Sequence, residues 1–296
     1  MTVDRSYPTP RAFRQALTDK LKARAAAGRW SLQALQRQMA YDRLLERLYR
    51  VSDEWILKGA AALLARDIAV RATVDIDLYR QAVLDVAEED VRNAAALDIG
   101  DWFRFEMGNA RSAGDGGGRR LPVTAFVGAT PWCAFHVDIT GEDRRMTGQP
   151  EPVPALVQVV MPELEQHGYR AYPIPDHIAD KIAAILERHG PGRRPSSRYK
   201  DLVDLVAIVT TASVPAPAQL AALASEAQRR ELQLPPRFAA PERTLWERGY
   251  AAEARRSFLS DAGTLDKALA LLSPFVDALL DGTAHGTWNP ETRCWE

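Results

Sequence analysis

The chain is short of cysteine: Cys133 and Cys294 are the only two in 296 residues. Two thiols so far apart in sequence exclude a zinc knuckle and a disulfide framework, and they suit a reducing compartment. Long apolar runs are also missing. Charge interrupts each hydrophobic stretch well before it could cross a bilayer, so no membrane span is expected. The N-terminal stretch MTVDRSYPTPRAFRQ lacks the apolar segment of a secretory leader. These absences predict a cytoplasmic protein without membrane contact. Internal repeats are absent too. The glycine-rich NARSAGDGGGRR at 109–120 lacks the Lys-Ser/Thr ending of a phosphate-binding P-loop, which leaves a hairpin tip as its reading.

What remains is an ordinary globular composition, 46% hydrophobic and 26% charged, long enough for one large or two modest cores. The net charge of −1 is unevenly spread. Residues 1–50 carry eleven Lys/Arg against four Asp/Glu, and residues 51–110 carry six against twelve. A basic arm beside an acidic centre suits a polyanion binder with a metal-loaded site. Two solvated helices with arginine-rich outer faces fit equally well.

Thr9-Pro10 and Ser31 are N-cap signals for two helices, through about residue 26 and over 32–50. EWILK reads as a short strand, GAAALLARD as a helix from Gly59, ATVDIDLYR as a strand and VLDVAEEDVRNAAAL as a helix. Period-two alternation then predicts antiparallel strands at 102–108, 121–128 and 133–140. A proline-spaced connector with one further strand follows. Beyond Pro175 the pattern is helical, at about 176–189, 199–212, 216–230, 241–254 and 264–281. The expectation is an α/β (α+β) fold: N-terminal basic helices at 1–50, a mixed-sheet core with flanking helices at 51–170, and a C-terminal helical half at 171–296.

Asp75 and Asp77 stand two residues apart on one strand face, about 6–7 Å from each other. Bare carboxylates at that distance repel by about 2–3 kcal/mol at an effective dielectric near 20. In CAFHVDIT, Asp138 and His136 share the face opposite Phe135, Val137 and Ile139, so a third carboxylate could join the pair. Three such groups on a rigid sheet would hold hard divalent cations. Two ions of that kind could clamp a nucleotidyl transfer. The other reading of Asp-x-Asp is a strand end turning to solvent. Upstream, Lys58 and Gly59 lie where strand meets helix and could face a triphosphate. Arg71 and Thr73 could touch phosphate oxygens or shape the turn. Further on, Lys181 lies on or beside the apolar stripe of its helix, and Asp201 and Asp204 flank the stripe of the next. A snorkelling lysine and a solvated helix face are their ordinary readings. The basic loop RHGPGRRPSSRYK between them could contact phosphate or simply be solvated.

LKGAAALLARDIAVRATVDIDLY, followed by ADKIAAILERHG and RYKDLVDL, resembles the AbiEii/AbiGii (MenT-type) toxin family within the DNA polymerase β-like nucleotidyltransferase superfamily. The likeness covers roughly residues 30–212. Its most specific parts are Lys58-Gly59, Arg71-x-Thr73-x-Asp75-x-Asp77, Asp180-Lys181 and Asp201-Leu-Val-Asp204. The family pattern usually has two glycines after the lysine, whereas here the second is Ala60. The resemblance implies the toxin of a bacterial toxin–antitoxin pair with a cognate antitoxin partner. It also implies transfer of nucleotides from an NTP to the 3′ end of tRNA. In that setting Asp75, Asp77 and Asp138 would bind two Mg²⁺, with Asp138 helping to deprotonate the acceptor hydroxyl. Lys58, the Gly59 amide and Arg71 would hold the triphosphate, Thr73 lying beside them. Lys181 would neutralise the leaving pyrophosphate, and Asp204 with Asp201 would orient Lys181 or the nucleotide. Basic residues of the N-terminal helices and the 188–200 loop would engage the acceptor stem. Alternatives are a protein or small-molecule hydroxyl as acceptor, and an inactive binding module of the same fold.

Overall fold

The computed structural model describes residues 6–68, 70–113, 117–142 and 146–296. The glycine-rich tip at 114–116 and the first five residues lie outside the described residues. The chain forms two compact units. One is Met1–Asp67, Ala72–Arg145 and Pro150–Ala171; the other is Ile68–Arg71, Met146–Gln149 and Tyr172–Glu296.

The first unit opens with α1 (Pro10–Ala27) and α2 (Leu32–Val51). The Thr9 hydroxyl accepts from the Ala12 amide and the Ser31 hydroxyl from the Ala34 amide, so both expected caps form. Next come β1 (Ile56–Lys58), α3 (Gly59–Ala65), β2 (Asp75–Tyr79) and α4 (Leu84–Ala95). They lead into β3 (Phe103–Met107), β4 (Arg111–Ala113), β5 (Gly118–Val127) and β6 (Thr130–Thr140). The proline-spaced connector holds two short strands rather than one, β7 (Glu151–Val153) and β8 (Tyr169–Ala171).

These strands make one mixed sheet in the order β3-β5-β6-β2-β1-β8-β7, with β4 against β5. β2 runs parallel to β6 and β1 parallel to β8, while the other pairs are antiparallel. One face carries Leu121, Val123, Phe135, Val137 and Ile139, all buried in the core cluster with α1 and α2. Tyr41 of α2 meets Phe135 edge-on at 4.9 Å. The other face carries the polar residues of the same strands, which is what period-two alternation dictates.

The arginine-rich outer face expected for α2 is corrected by the fold. Arg43 and Arg47 are 1% and 0% exposed and both bind the fully buried Asp101. Arg14 donates to the Pro131 carbonyl at 2.9 Å and Arg24 to the Gln158 carbonyl at 3.2 Å. Much of the N-terminal basic excess therefore ties helices to the sheet unit. An uninterrupted α2 buried along most of its length leaves Arg43 and Arg47 no solvent to face, whereas Arg50 near its end is exposed.

Asp42 is the fully buried carboxylate of this helix. It accepts from the amides of Leu156 and Val157, both at 2.8 Å, and from Tyr169 Oη at 2.6 Å. Burial pushes its pKa up to about 6, with the Tyr169 and backbone hydrogen bonds opposing the rise. The folded chain thus holds the proton more tightly than the unfolded chain. The stability this confers is fully present below about pH 3.8 and is lost as pH rises through about 6. Urea unfolding of the wild type and Asp42→Asn from pH 4 to 7 tests this. The wild type should lose stability relative to the variant up to about pH 6 and then run level with it; a flat difference throughout refutes it.

The second unit contains α5 (Ile174–Leu186), α6 (Tyr199–Val209), α7 (Ala216–Arg229), α8 (Arg243–Ala254) and α9 (Leu265–Leu280). It is not purely helical. The stretch read as a basic loop pairs β9 (Arg188–His189) with β10 (Arg194–Pro195), and the tail folds into a small sheet of β11 (Val214–Pro215), β12 (Thr287–Asn289) and β13 (Cys294–Trp295). Trp288 and Trp246 anchor this unit. Both are fully buried, and their indole N–H groups donate to the carbonyls of Val209 and Ser196. Among the described residues, no helix is long and apolar enough to cross a membrane.

Candidate active site

The open face of the first unit's sheet carries a row of charge. In register, Lys58 of β1 lies opposite Asp77 of β2, Asp77 beside Asp138 of β6, and Asp138 opposite Arg120 of β5. Directly opposed residues share a face, so the four stand side by side as cation, carboxylate, carboxylate, cation. The next row, two residues along, holds Asp75, His136 and Pro122. Asp75, Asp77 and Asp138 are thus neighbours on one rigid face.

Their mutual repulsion is met by specific donors. Arg120 grips Asp138 with both arms, Nε to Oδ1 at 2.7 Å and Nη2 to Oδ2 at 2.5 Å, and its Nη2 is 4.0 Å from Asp75 Oδ1. His136 Nδ1 lies 3.2 Å from the same Asp75 oxygen. The arginine stays charged: its hydrogen bonds to Asp138 raise its pKa further above an already high value, outweighing its partial burial. Sequence reading missed Arg120 as a site residue because it follows the glycine run and looks like part of the tip. The signal was present, since alternation through Leu121, Val123 and Ala125 places Arg120 on the carboxylate face.

Gly59 starts α3 directly after Lys58, with φ at +59°, a region L side chains rarely adopt. A Cβ built there would lie 1.9 Å from Asp77 Oδ2. The glycine is therefore where the carboxylate's space comes from. Ala60, in place of the usual second glycine, lies in the first turn of α3 and is buried at 5% exposure. Thr73 sits just before β2. Its hydroxyl accepts from the Asp75 amide at 3.3 Å and lies 3.1 Å from the Asp75 carbonyl; its own carbonyl accepts from Tyr41 Oη at 3.2 Å.

The donor set fits a hard divalent cation: three carboxylates on adjacent strands, all oxygen ligands. The guanidinium resting on Asp138 and approaching Asp75 shows that this group of carboxylates draws positive charge. Among the described residues, the three side chains whose candidate ligand atoms lie within 4.8 Å of one another are a different group, Glu46, Glu165 and His167; Asp75, Asp77 and Asp138 share a face but do not gather theirs so closely. Arg50 already binds Glu46 at 3.1 Å and Glu165 at 2.7 Å, which offsets one of that group's two negative charges.

The second unit has its own charged cluster. Asp204, 2% exposed, accepts from Arg71 Nε at 2.8 Å and Nη2 at 2.7 Å, and from Lys181 Nζ at 2.7 Å. Lys181 also donates to Asp201 at 2.8 Å. Burial pushes the Asp204 pKa up, but Lys181 and Arg71 outweigh it and hold the carboxyl below the ordinary range. Burial lowers the Lys181 pKa, and Asp201 and Asp204 more than reverse that, so the ammonium stays charged. Neither the snorkelling lysine nor the solvated helix face describes these residues: Lys181 is 7% exposed and α6 buries Asp204. Arg71, Lys181, Asp201 and Asp204 form one ion-paired group, Arg71 coming from more than a hundred residues before the other three.

The family model described as "Nucleotidyl transferase AbiEii toxin, Type IV TA system" matches residues 43–279, most of the chain. A comparison with curated proteins returned no match. Among solved structures, MenT4, a nucleotidyltransferase toxin of Mycobacterium tuberculosis H37Rv, is similar over 90% of this chain and 98% of its own, at 16% identity and a TM-score of 0.51. JHP933 of Helicobacter pylori is similar over 86% of this chain and 95% of its own, at 14% identity and a TM-score of 0.48. At such identities the MenT4 likeness speaks for the fold, and the family match carries the assignment. The chain belongs to the AbiEii nucleotidyltransferase toxin family and is a nucleotidyltransferase enzyme of the toxin–antitoxin type.

Proposed function

We propose that the protein transfers nucleotides from an NTP to the 3′ end of tRNA, with Asp75, Asp77 and Asp138 as the Mg²⁺-binding and catalytic carboxylates. The observation that carries this reading is the row in which Asp77 lies in register with Asp138 while Asp75 shares their face. Nucleotidyl transfer needs carboxylates held in fixed relation to one another, and neighbouring strands hold them so. Bound divalent ions would supply charge neutralisation at the attacking and leaving oxygens. The chain's own residues do the remaining work. Asp138 accepts the proton of the acceptor hydroxyl, and Asp77 keeps its place through the absence of a side chain at Gly59. Lys58 and the Gly59 amide bind phosphate oxygens. We assign to Arg71, Lys181, Asp201 and Asp204 a phosphate-binding role in which the two cations are oriented by the two carboxylates. The family implies a cognate antitoxin, and blocked translation in the cytoplasm is the consequence we propose.

Incubation with each labelled NTP, first with total tRNA and then with total protein, tests this. Label should enter tRNA, lengthen it, and require added Mg²⁺. Asp77→Ala should lower incorporation by about 10³-fold, as loss of a charge-stabilising group does. Label confined to polypeptide, or shortened RNA, overturns the reading.

A further inference from the structure

The guanidinium that rests on Asp138 takes the oxygens a divalent ion would need. Arg120 donates to both of them, at 2.7 and 2.5 Å, and its Nη2 comes within 4.0 Å of Asp75 Oδ1. This grip draws Asp138 toward β5, and the three aspartates share a face without gathering their oxygens within 4.8 Å of one another. A divalent ion bonds a carboxylate oxygen at about 2.0–2.6 Å. It and a guanidinium on the same carboxylate are therefore like charges only a few ångströms apart, and they repel.

The neighbours of Arg120 say which partner gives way. On its other flank it faces Arg111 of β4, a like charge directly opposite in register, which favours the lean toward β6. Arg119, one residue before, faces the other side of the sheet and is tied to Asp85 and Glu88 of α4. Arg120 is 43% exposed and Asp138 18%. The sheet fixes the carboxylate, whereas the arginine has a long side chain that reaches water.

We infer that Arg120 is a built-in competitor of the metal: it neutralises Asp138 until a divalent ion arrives, and it must turn out to solvent before Asp138 can hold that ion. The inference rests on the reading of Asp138 as a metal-binding carboxylate. Its consequence is that divalent ions bind more weakly than the three carboxylates alone would bind them. An arginine beside an aspartate lowers the carboxylate's affinity for a proton by about 10- to 1000-fold. A doubly charged ion feels that field at least as strongly, and solvent around Arg120 keeps the effect near the lower end. An arginine that only positioned Asp138 would act in the opposite direction, since its removal would weaken the metal site.

Titration with Mn²⁺, which takes oxygen ligands as Mg²⁺ does, reads the competition by electron spin resonance without NTP or RNA. Arg120→Met should tighten Mn²⁺ binding about tenfold. It should also lower the melting temperature of the chelator-treated protein, because the carboxylates then face one another with one cation fewer. Arg120→Lys keeps the charge without the two-armed grip and should fall between wild type and Arg120→Met; if Arg120→Met does not fold, Arg120→Lys alone decides. Arg119→Met removes an equal charge from the other side of the sheet and should leave Mn²⁺ affinity within about twofold, as expected for a screened surface charge. Unchanged or weaker Mn²⁺ binding by the Arg120 variants overturns the competition. Asp138→Asn tests the underlying reading separately: Mn²⁺ binding as tight as that of wild type would mean that Asp138 is no metal ligand, and the inference would fall with that reading.

Discussion

Gly59→Ala is expected to cut nucleotide transfer about a hundredfold or more while leaving most of the fold in place. Two costs fall on this one methyl group. A left-handed backbone at an L-residue costs about 1–2 kcal/mol, which the unit can absorb. The second cost is local: the new Cβ would lie 1.9 Å from Asp77 Oδ2, a distance no pair of atoms tolerates. Either the carboxylate or the start of α3 must move. Strand β2 is fixed on both sides by β1 and β6, so the side chain of Asp77 is what gives way. A displacement of about 1 Å at a reacting group costs on the order of 10²-fold in rate. Turnover with labelled NTP, compared with Asp77→Ala and with thermal melts of both variants, checks this. Ala60→Gly provides the contrast, since it loses only helix propensity of about 1 kcal/mol and leaves Asp77 alone. Wild-type turnover by Gly59→Ala would falsify the steric account. Unfolding of the variant would instead place the carboxylate's position within the fold's own stability.

How much of this was legible in the sequence depends on the range of the interaction. Caps at Thr9 and Ser31 and the alternation in β5 and β6 are local, and they read correctly because the neighbours that decide them lie within a few residues. Asp138 could be placed on the right face for the same reason. Its position beside Asp77 could not, because parallel pairing of β2 with β6 joins segments some sixty residues apart without a turn signal between them. The insertion of β8 next to β1 escaped for that reason and because three residues are too few to show a period. Charge misled most. Arg43 and Arg47 looked like solvent-facing arginines of a basic arm, yet Asp101 draws them inward from fifty-eight and fifty-four residues away. By spacing alone Lys181 and Asp204 read as a snorkelling lysine and a solvated helix face for the same reason, and only the family resemblance implied that Asp204 with Asp201 orients Lys181. Arg120 belongs with them. The compensation demanded by two adjacent carboxylates could be anticipated on energetic grounds, but the cation that supplies part of it came from another strand.

Asp101→Ala is expected to destabilise the first unit by about 3–5 kcal/mol, the usual consequence of removing one partner from a buried charge group. Arg43 Nε binds Asp101 Oδ2 at 2.6 Å, and Arg47 binds the two oxygens at 2.9 and 2.7 Å, with all three side chains at 1% exposure or less. The arginine pair pulls the Asp101 pKa below the ordinary range despite burial that pushes it up. Removing the carboxylate leaves two guanidinium groups in the core. Carbonyl oxygens of Glu165, Leu97, Phe103 and Arg43 still accept from them, but none carries the charge needed to balance them. The Phe103 amide, which donates to Asp101 Oδ1 at 3.0 Å, loses its acceptor as well. A loss of this size is a large share of a stability that is normally about 5–15 kcal/mol, so the variant should unfold at markedly lower urea with an unchanged slope. The triple replacement Arg43→Met, Arg47→Leu and Asp101→Leu separates charge from shape, because it removes the whole group and keeps apolar volume. It should recover most of the loss, since exchanging a buried ionic group for packed hydrophobic side chains is commonly neutral or favourable. A single variant as stable as wild type would mean that water reaches the two arginines. A triple variant as unstable as the single one would mean that the polar bonds to the 97–103 segment, rather than the balance of charge, hold α2 against the sheet.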